Sequence, residues 1–322
     1  MENTSELSFT QQIKEEIIKL PFDEIRSKSI LSAFIRSNGS IGLTNQGAKL
    51  VLKTENNKVA RYIYELIKKT FINSIVSLSF RTTMKFKKTT QYIISIESDV
   101  DYILKELEID FLESKIPYKL TDKENKIKGY LEGLFLNNGN CNNPISSNYH
   151  LEIYTSDKAF SEAIIKLIHK IKDIVFHFKI VKRRSSYVVY LKRSDEISSF
   201  LAYIGANECC LNFEAIRVER DNSNSINRLM IMDQYNYKKT LQIAKTQVEN
   251  IQKIEKRIGI KNLQNKKLQE LCYLRLENQE ATYSELARAL SEKFNTTVTK
   301  SNVNHLFIKI KNIVEEFENG KN

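Results

Sequence analysis

The stretch "YLEGLFLNNG", Tyr130–Gly139, decides how this chain is read. An apolar helix pattern runs into a glycine preceded by the amides Asn137 and Asn138. One hundred residues earlier "ILSAFIRSNG", Ile30–Gly39, ends the same way, with Asn38 before its glycine. Leu31 matches Leu131 at an offset of 100. Downstream, "KLVLKT" (Lys49–Thr54) matches "HLEIYT" (His150–Thr155) at an offset of 101, and Leu66 matches Leu167 at the same spacing. Both hexapeptides alternate apolar and polar residues, the period of a half-buried strand. Each is followed by a helical pattern, "NKVARYIYELIKKTF" and "DKAFSEAIIKLIHKI". Paired strand-like runs come next, "SIVSLSFRTTMKF" with "QYIISIES" and "IVFHFKIVK" with "SYVVYLK". Short helices close the two units near Tyr102–Leu107 and Glu196–Ile204. Each unit therefore reads helix, one or more strands, helix, hairpin, helix. Two such units can stack about a central axis, and the expected fold class is α+β, a pseudo-two-fold repeat domain followed by an all-α domain.

Composition bounds the rest. The 322 residues allow two or three domains, and 41% hydrophobic with 28% charged residues describes an ordinary folded chain. No run approaches the roughly 18 apolar residues of a membrane helix, and the polar start "MENTSELSFTQQIKEE" is not a secretory signal. Cys141, Cys209, Cys210 and Cys272 show no CxxC spacing and read as reduced, mostly buried thiols. The four histidines are scattered, so neither a metal nor a cofactor is expected. The formal net charge of +11 points to a polyanionic partner. The second hairpin, Lys179–Arg193, carries Lys179, Lys182, Arg183, Arg184, Lys192 and Arg193 and no acid. The first offers Arg81, Lys85, Lys87 and Lys88. Such a tip suits phosphate contact, although basic residues also serve to protect a sheet edge.

The last third is helical. Leu241, Ala244, Val248, Ile251 and Ile254 form one stripe of a connecting helix from Lys238 to Gln264. "LQELCYLRLEN" reads as a first short helix. In "TYSELARALSEKF", Thr282 and Glu285 form a capping box, and Leu286, Ala289, Leu290 and Phe294 supply an inner face. Thr299 caps a last helix whose buried stripe is Val303, Phe307, Ile310 and Val314. This is the pattern of a helix-turn-helix, with Lys300, Ser301, Asn302, Asn304, His305 and Lys309 toward the groove of double-stranded DNA. Three-helix modules also serve as protein-docking domains. The expected division is 1–118 and 119–205 for the two repeats, 206–261 for a linker with its connecting helix, and 262–322 for the helix-turn-helix.

The duplicated helix pair resembles the core of LAGLIDADG homing endonucleases, in which small residues, here Ala33 and Gly133, let the two helices approach. In that family an acidic residue before each closing glycine binds the catalytic metal; here those positions are Asn38 and Asn138. A neutral amide is a poor ligand for a hard dication. The resemblance therefore implies the architecture without the nuclease, and Asn-Gly also suits a helix end that wants a left-handed residue. A degenerate repeat of this kind before a helix-turn-helix resembles the WhiA family of bacterial regulators. The stretches that carry it include "SFTQQIKEE", "GYLEGLFLNNG", "NYHLEIYTSD", "YVVYLKRSDEISSFLAYIGA", "NRLMIMDQYNYKKT", "LRLENQEATYSELA" and "TKSNVNHLFIKI", covering nearly the whole chain. That resemblance implies a cytoplasmic, nucleoid-associated, non-enzymatic DNA-binding protein of transcription regulation, tied to cell division, chromosome segregation and, in spore formers, sporulation. It also implies a linker signature at Asn227, Arg228, Asn236 and Lys239.

The chain departs from the family pattern at Leu306 and Ile308, which stand where two arginines are typical. Either the repeats and linker supply most of the DNA affinity, or a protein partner docks on Leu306 and Ile308, taken as exposed. An active endonuclease, a docking scaffold with weak DNA binding, and a small-molecule sensor between the repeats are the rival readings.

Overall fold

A computed structural model describes residues 7–44, 47–84 and 88–320. The basic tip expected of the first hairpin therefore falls, for Lys85, Lys87 and the Lys88 side chain, outside the described residues. The chain divides into two units, residues 1–220 and 221–322.

The first unit opens with α1 (Phe9–Lys19), started by a capping box in which Ser8 and Gln11 exchange hydrogen bonds. The first repeat follows as α2 (Glu24–Asn38), β1 (Ser40–Thr44), β2 (Gly47–Thr54), α3 (Asn57–Thr70), β3 (Val76–Met84), β4 (Lys88–Ile96) and α4 (Val100–Glu106). The second repeats the order: α5 (Glu124–Asn138), β5 (Gly139–Cys141), β6 (Leu151–Thr155), α6 (Lys158–Ile168), β7 (Lys179–Arg183), β8 (Ser186–Leu191) and α7 (Ser194–Tyr203). Both four-stranded sheets are antiparallel with equivalent orders, β1-β2-β4-β3 and β5-β6-β8-β7. The duplication read from the sequence is thus a duplication of topology.

Side-chain caps start three of these helices, while α5, the counterpart of α2, starts at Lys123 without one. Asp23 caps α2, Asn56 caps α3 and Asp157 caps α6, each accepting from a backbone N–H three residues on. One face of each sheet packs on the helices. Leu50, Leu52, Ile94 and Ile96 fill it in the first repeat, and Leu151, Ile153, Val189 and Leu191 in the second. Two buried hydroxyls of α2 are satisfied by carbonyls far along the chain: Ser29 Oγ donates to Leu120 O and Ser32 Oγ to Leu107 O, both at 2.9 Å.

Two boundaries differ from the sequence reading. The strand expected from Ile174 starts only at Lys179. Ahead of it Phe176 and Phe178 pack edge-on against Phe200 of α7, and the His177 backbone N–H donates to Glu196 Oε2 at 2.6 Å. The backbone there is committed to α7 and is not offered to a neighbouring strand. The connecting helix starts far earlier than Lys238. It is the rear part of α8 (Asn207–Arg257), whose first backbone N–H groups, on Glu208 and Cys209, donate to the Glu16 carboxylate at 2.8 and 2.7 Å.

The second unit holds the rest of α8, a 3-10 turn at Ile260–Asn262, α9 (Lys266–Glu277), α10 (Tyr283–Phe294) and α11 (Lys300–Asn319). Ile251, Ile254, Leu271, Leu290, Val303 and Ile310 are central to its core. The capping box of Thr282 and Glu285 forms as expected. Ala287, not Ala289, is the buried alanine of α10, since it lies about 60° around the helix from Leu290 and Ala289 about 100° away on the other side. Arg275, 1% exposed, gives Nη1 to the carbonyls of Gln279 and Ala281 and lies over the Phe307 ring.

Candidate nucleic-acid interface

The helix pair α2–α5 is the axis of the first unit. Gly133 has no room for a side chain: a Cβ there would lie 2.3 Å from Ile30 O and 2.9 Å from Ala33 Cβ. At Gly129 it would lie 2.6 Å from Arg26 Cγ. Small residues spaced by four let the backbones touch, as expected for Ala33 and Gly133.

Where the helices end, the amides are engaged. Asn38 donates both amide protons, to Lys53 O and to Asn137 Oδ1, each at 2.6 Å, and its Oδ1 accepts from the Lys53 N–H at 2.8 Å. Asn138 donates to Tyr154 O at 3.1 Å. Asn137 donates to Ser37 Oγ at 2.8 Å. At these helix ends the bonds from one repeat to the other thus run through Asn137, one residue before the position that matches Asn38. Lys14 from α1 also reaches this end, donating to Asn137 O at 3.4 Å, and burial pulls its ammonium down to about 8. Among the described residues, no group of three or more His, Cys, Asp or Glu is placed to hold a metal ion.

The closing glycines correct one expectation. Gly39 and Gly139 have φ of −66° and −75° and are extended, not left-handed. Glycine is required there by space, since a Cβ on Gly139 would lie 2.3 Å from the Phe135 ring and one on Gly39 2.7 Å from Ile35 O.

Opposite the helices each sheet presents an open face, and strand alternation decides what lies on it. In the first sheet the register places Lys49, Lys53, Ser77, Ser79, Arg81 and Gln91 there. Lys49 is tied to Glu97 at 2.7 Å. In the second, Asn140, Glu152, Tyr154, Lys179, Arg183 and Tyr190 share the open face. Lys182 pairs with Tyr187 on the opposite side, and Arg184 sits in the turn with φ +56°. The basic residues grouped by sequence are therefore divided: within β7, Lys179 and Arg183 lie together and Lys182 apart.

Glu152 organises this face. Its side chain is 6% exposed and accepts from Asn140 Nδ2 at 3.1 Å and Tyr154 OH at 2.9 Å, with His150 Nε2 at 2.9 Å. Burial works against its charge, but these hydrogen bonds more than offset that and hold the carboxyl below its ordinary range. Arg183 Nη1 lies 2.6 Å from Tyr154 OH and 3.3 Å from Glu152 Oε2, so its guanidinium is held in place on the sheet. His150 stacks on Tyr190, and Lys192 lies over the same ring.

In the second unit Thr299 caps α11 as expected, but Asn302 is its partner. Asn302 Oδ1 accepts from the Thr299 N–H at 2.9 Å, and the Asn302 N–H donates to Thr299 Oγ1 at 3.2 Å. Val303, Phe307, Ile310 and Val314 are buried. Leu306 is buried with them at 9% exposure, which corrects its placement on an open docking surface; it follows Val303 by three residues and widens the inner stripe. Ile308 is exposed, and Lys300, Ser301, Asn304, His305 and Lys309 are exposed on α11. Asn227, Arg228, Asn236 and Lys239 are all exposed along α8. The thiols of Cys141, Cys209, Cys210 and Cys272 are free, with Cys210 alone only partly buried.

Twin αββαββα halves joined through a small-residue helix pair, with capped helices in a second unit, define a LAGLIDADG-like protein carrying a helix-turn-helix. Family models agree. The WhiA N-terminal LAGLIDADG-like domain matches residues 24–110, the WhiA LAGLIDADG-like domain residues 127–223, and the WhiA C-terminal HTH domain residues 226–314. The chain is 36% identical over 318 residues to a probable cell division protein WhiA of Staphylococcus aureus, covering 98% of this chain and 99% of that one. The chain belongs to the WhiA family. Its fold is similar to the crystal structure of full-length WhiA from Thermatoga maritima, with a TM-score of 0.59, 23% identity and coverage of 96% of this chain and 99% of that one. The N-terminal LAGLIDADG domain of WhiA, solved alone, aligns with a TM-score of 0.50 at 22% identity, over 64% of this chain and 94% of that one. Among the described residues no helix is long and apolar enough to cross a membrane.

Proposed function

We propose that this protein is a non-enzymatic DNA-binding regulator that acts on the nucleoid in the cytoplasm, in cell division, chromosome segregation and, in spore formers, sporulation. The observation that carries the non-enzymatic reading is the state of the paired helix ends: both protons of the Asn38 amide and one of Asn138 are spent on backbone and side-chain acceptors. Phosphodiester hydrolysis needs carboxylates around a divalent ion at such a place. The amides instead close the junction of the repeats.

DNA contact is assigned to three surfaces. On α11, Lys300, Ser301, Asn304, His305 and Lys309 face solvent together at the start of a capped helix, whose first N–H groups favour phosphate oxygens. On the second sheet, Lys179 and Arg183 share one face, with Arg184 at the turn. Along α8, Asn227, Arg228, Asn236 and Lys239 form a polar edge. The working division keeps 1–118 and 119–205 as the repeats, 206–261 as the connecting segment and 262–322 as the helix-turn-helix.

A second reading, a scaffold for division or transcription machinery, draws on the exposed apolar residues of α8: Ile226, Leu229, Met230, Ile231 and Met232. One experiment separates the three possibilities. Full-length protein is titrated against duplex DNA by gel shift at two salt concentrations, beside supercoiled plasmid with magnesium. A DNA-binding regulator gives a salt-sensitive shift and intact plasmid. A scaffold gives no shift, and a nuclease nicks.

A further inference from the structure

We infer that Ile308 is a specificity-determining contact, reading the C5-methyl group of thymine in the major groove. The inference rests on the DNA-binding role proposed above for α11. At 3.6 residues per turn, Ile308 projects about 140° from the centre of the buried stripe. Ser301, Asn304, His305 and Asn312 lie around it on the same exposed face. Ile308 is 44% exposed, and among the described residues from Lys266 to Gly320 it is the only large apolar side chain left so open. From Lys300 to Val314 the helix contains no acidic residue.

Those facts favour DNA over a protein partner for this side chain. A protein hot spot gathers several apolar or aromatic anchors, and this face has one. The floor of the major groove is mostly donors and acceptors, with the thymine methyl as its apolar point. A single branched aliphatic residue framed by amides matches that pattern. Asn304 and Asn312, one turn to either side, carry the side-chain amide that pairs with adenine N6 and N7. The face is therefore suited to A·T pairs, and it has no guanidinium to grip guanine O6 and N7.

The test uses the full chain. Duplexes that it enriches from a random pool are resynthesised with deoxyuridine, which lacks only the methyl, in place of each thymine in turn. One substitution is expected to weaken binding about three- to fivefold, the worth of a single methyl removed from water. Ile308→Ala should lose that sensitivity while melting at the wild-type temperature. Ile308→Arg should move the preferred base at that position to guanine. Equal binding of every deoxyuridine duplex overturns the inference, as does an Ile308→Ala variant that keeps the sensitivity. If Ile308→Ala leaves DNA binding unaltered, the side chain belongs to a protein contact and the inference falls. If no sequence is enriched at all, sequence-selective DNA binding itself fails and takes the inference with it.

Discussion

Asn38 Nδ2 lies 2.6 Å from Asn137 Oδ1, so the last turns of the two repeat helices are joined by an amide-to-amide hydrogen bond between residues 99 apart in the chain. The same nitrogen lies 2.6 Å from Lys53 O. A carboxylate could make neither bond, because it has no proton to give.

Asn38→Asp is therefore expected to destabilise the first unit by about 2–4 kcal/mol. It loses two donors and sets a negative charge against two oxygens. Urea unfolding at neutral pH measures this. An unchanged midpoint would show that the amide has no structural part. The variant should still leave plasmid intact with magnesium, since the neighbouring Asn138 also lacks a charge.

The helix pair makes a sharper steric prediction. Gly133→Ala puts a methyl 2.3 Å from Ile30 O and should cost about 2–3 kcal/mol as α2 and α5 are pushed apart. Gly42→Ala is the control, because its methyl would meet only Lys49 O at 3.9 Å. Equal melting of the two variants would refute tight packing at Gly133.

Glu132 gives the pH dependence. It is fully buried on α5, 3.4 Å from Arg26 Nε, and burial outweighs that guanidinium and pushes its pKa from 4.5 up to about 7. Because the folded value is raised, the folded chain holds a proton that the unfolded chain has released between these two values. Stability from this group is complete below about 4.5 and falls by up to about 1.4 kcal/mol per pH unit until about 7. Glu132→Gln should flatten that slope. Denaturant midpoints of both proteins at pH 5 and pH 8 are the check; parallel changes would mean that Glu132 does not titrate in this window.

The second sheet separates basic residues that the sequence lists side by side. Lys179→Ala and Arg183→Ala should each weaken binding to random duplex and lower its salt slope by about one, the signature of a lost phosphate contact. Lys182→Ala, on the opposite side of the strand, should leave the slope unchanged. If Lys182→Ala has the larger effect, the DNA face has been placed on the wrong side of the sheet.

Much of this was legible in the linear text because it is periodic or local. The offset of 100 between Leu31 and Leu131 announced two units of equal order, and alternation in "KLVLKT" and "HLEIYT" marked their central strands. Thr282 with Glu285, and Thr299 before its helix, need only neighbours three residues away to act as caps. What failed depended on distant surroundings. Phe176 and Phe178 have strand character, but Phe200 and Glu196 of α7 draw that segment out of the sheet. One helix alone places Leu306 on the open side, but it borders a stripe that α9 and α10 cover.

The sequence by itself determined the duplication, the element order, the caps and the absence of carboxylates at Asn38 and Asn138, all properties of residue type and spacing. Only the tertiary structure decided which groups those amides bond, that Asn137 bridges the repeats, that Glu132 is buried beside Arg26, and that Lys179 and Lys182 part company. Hydrogen-bond partners and burial are set by chain segments tens to a hundred residues away, and no local pattern encodes which oxygen will stand opposite a given nitrogen.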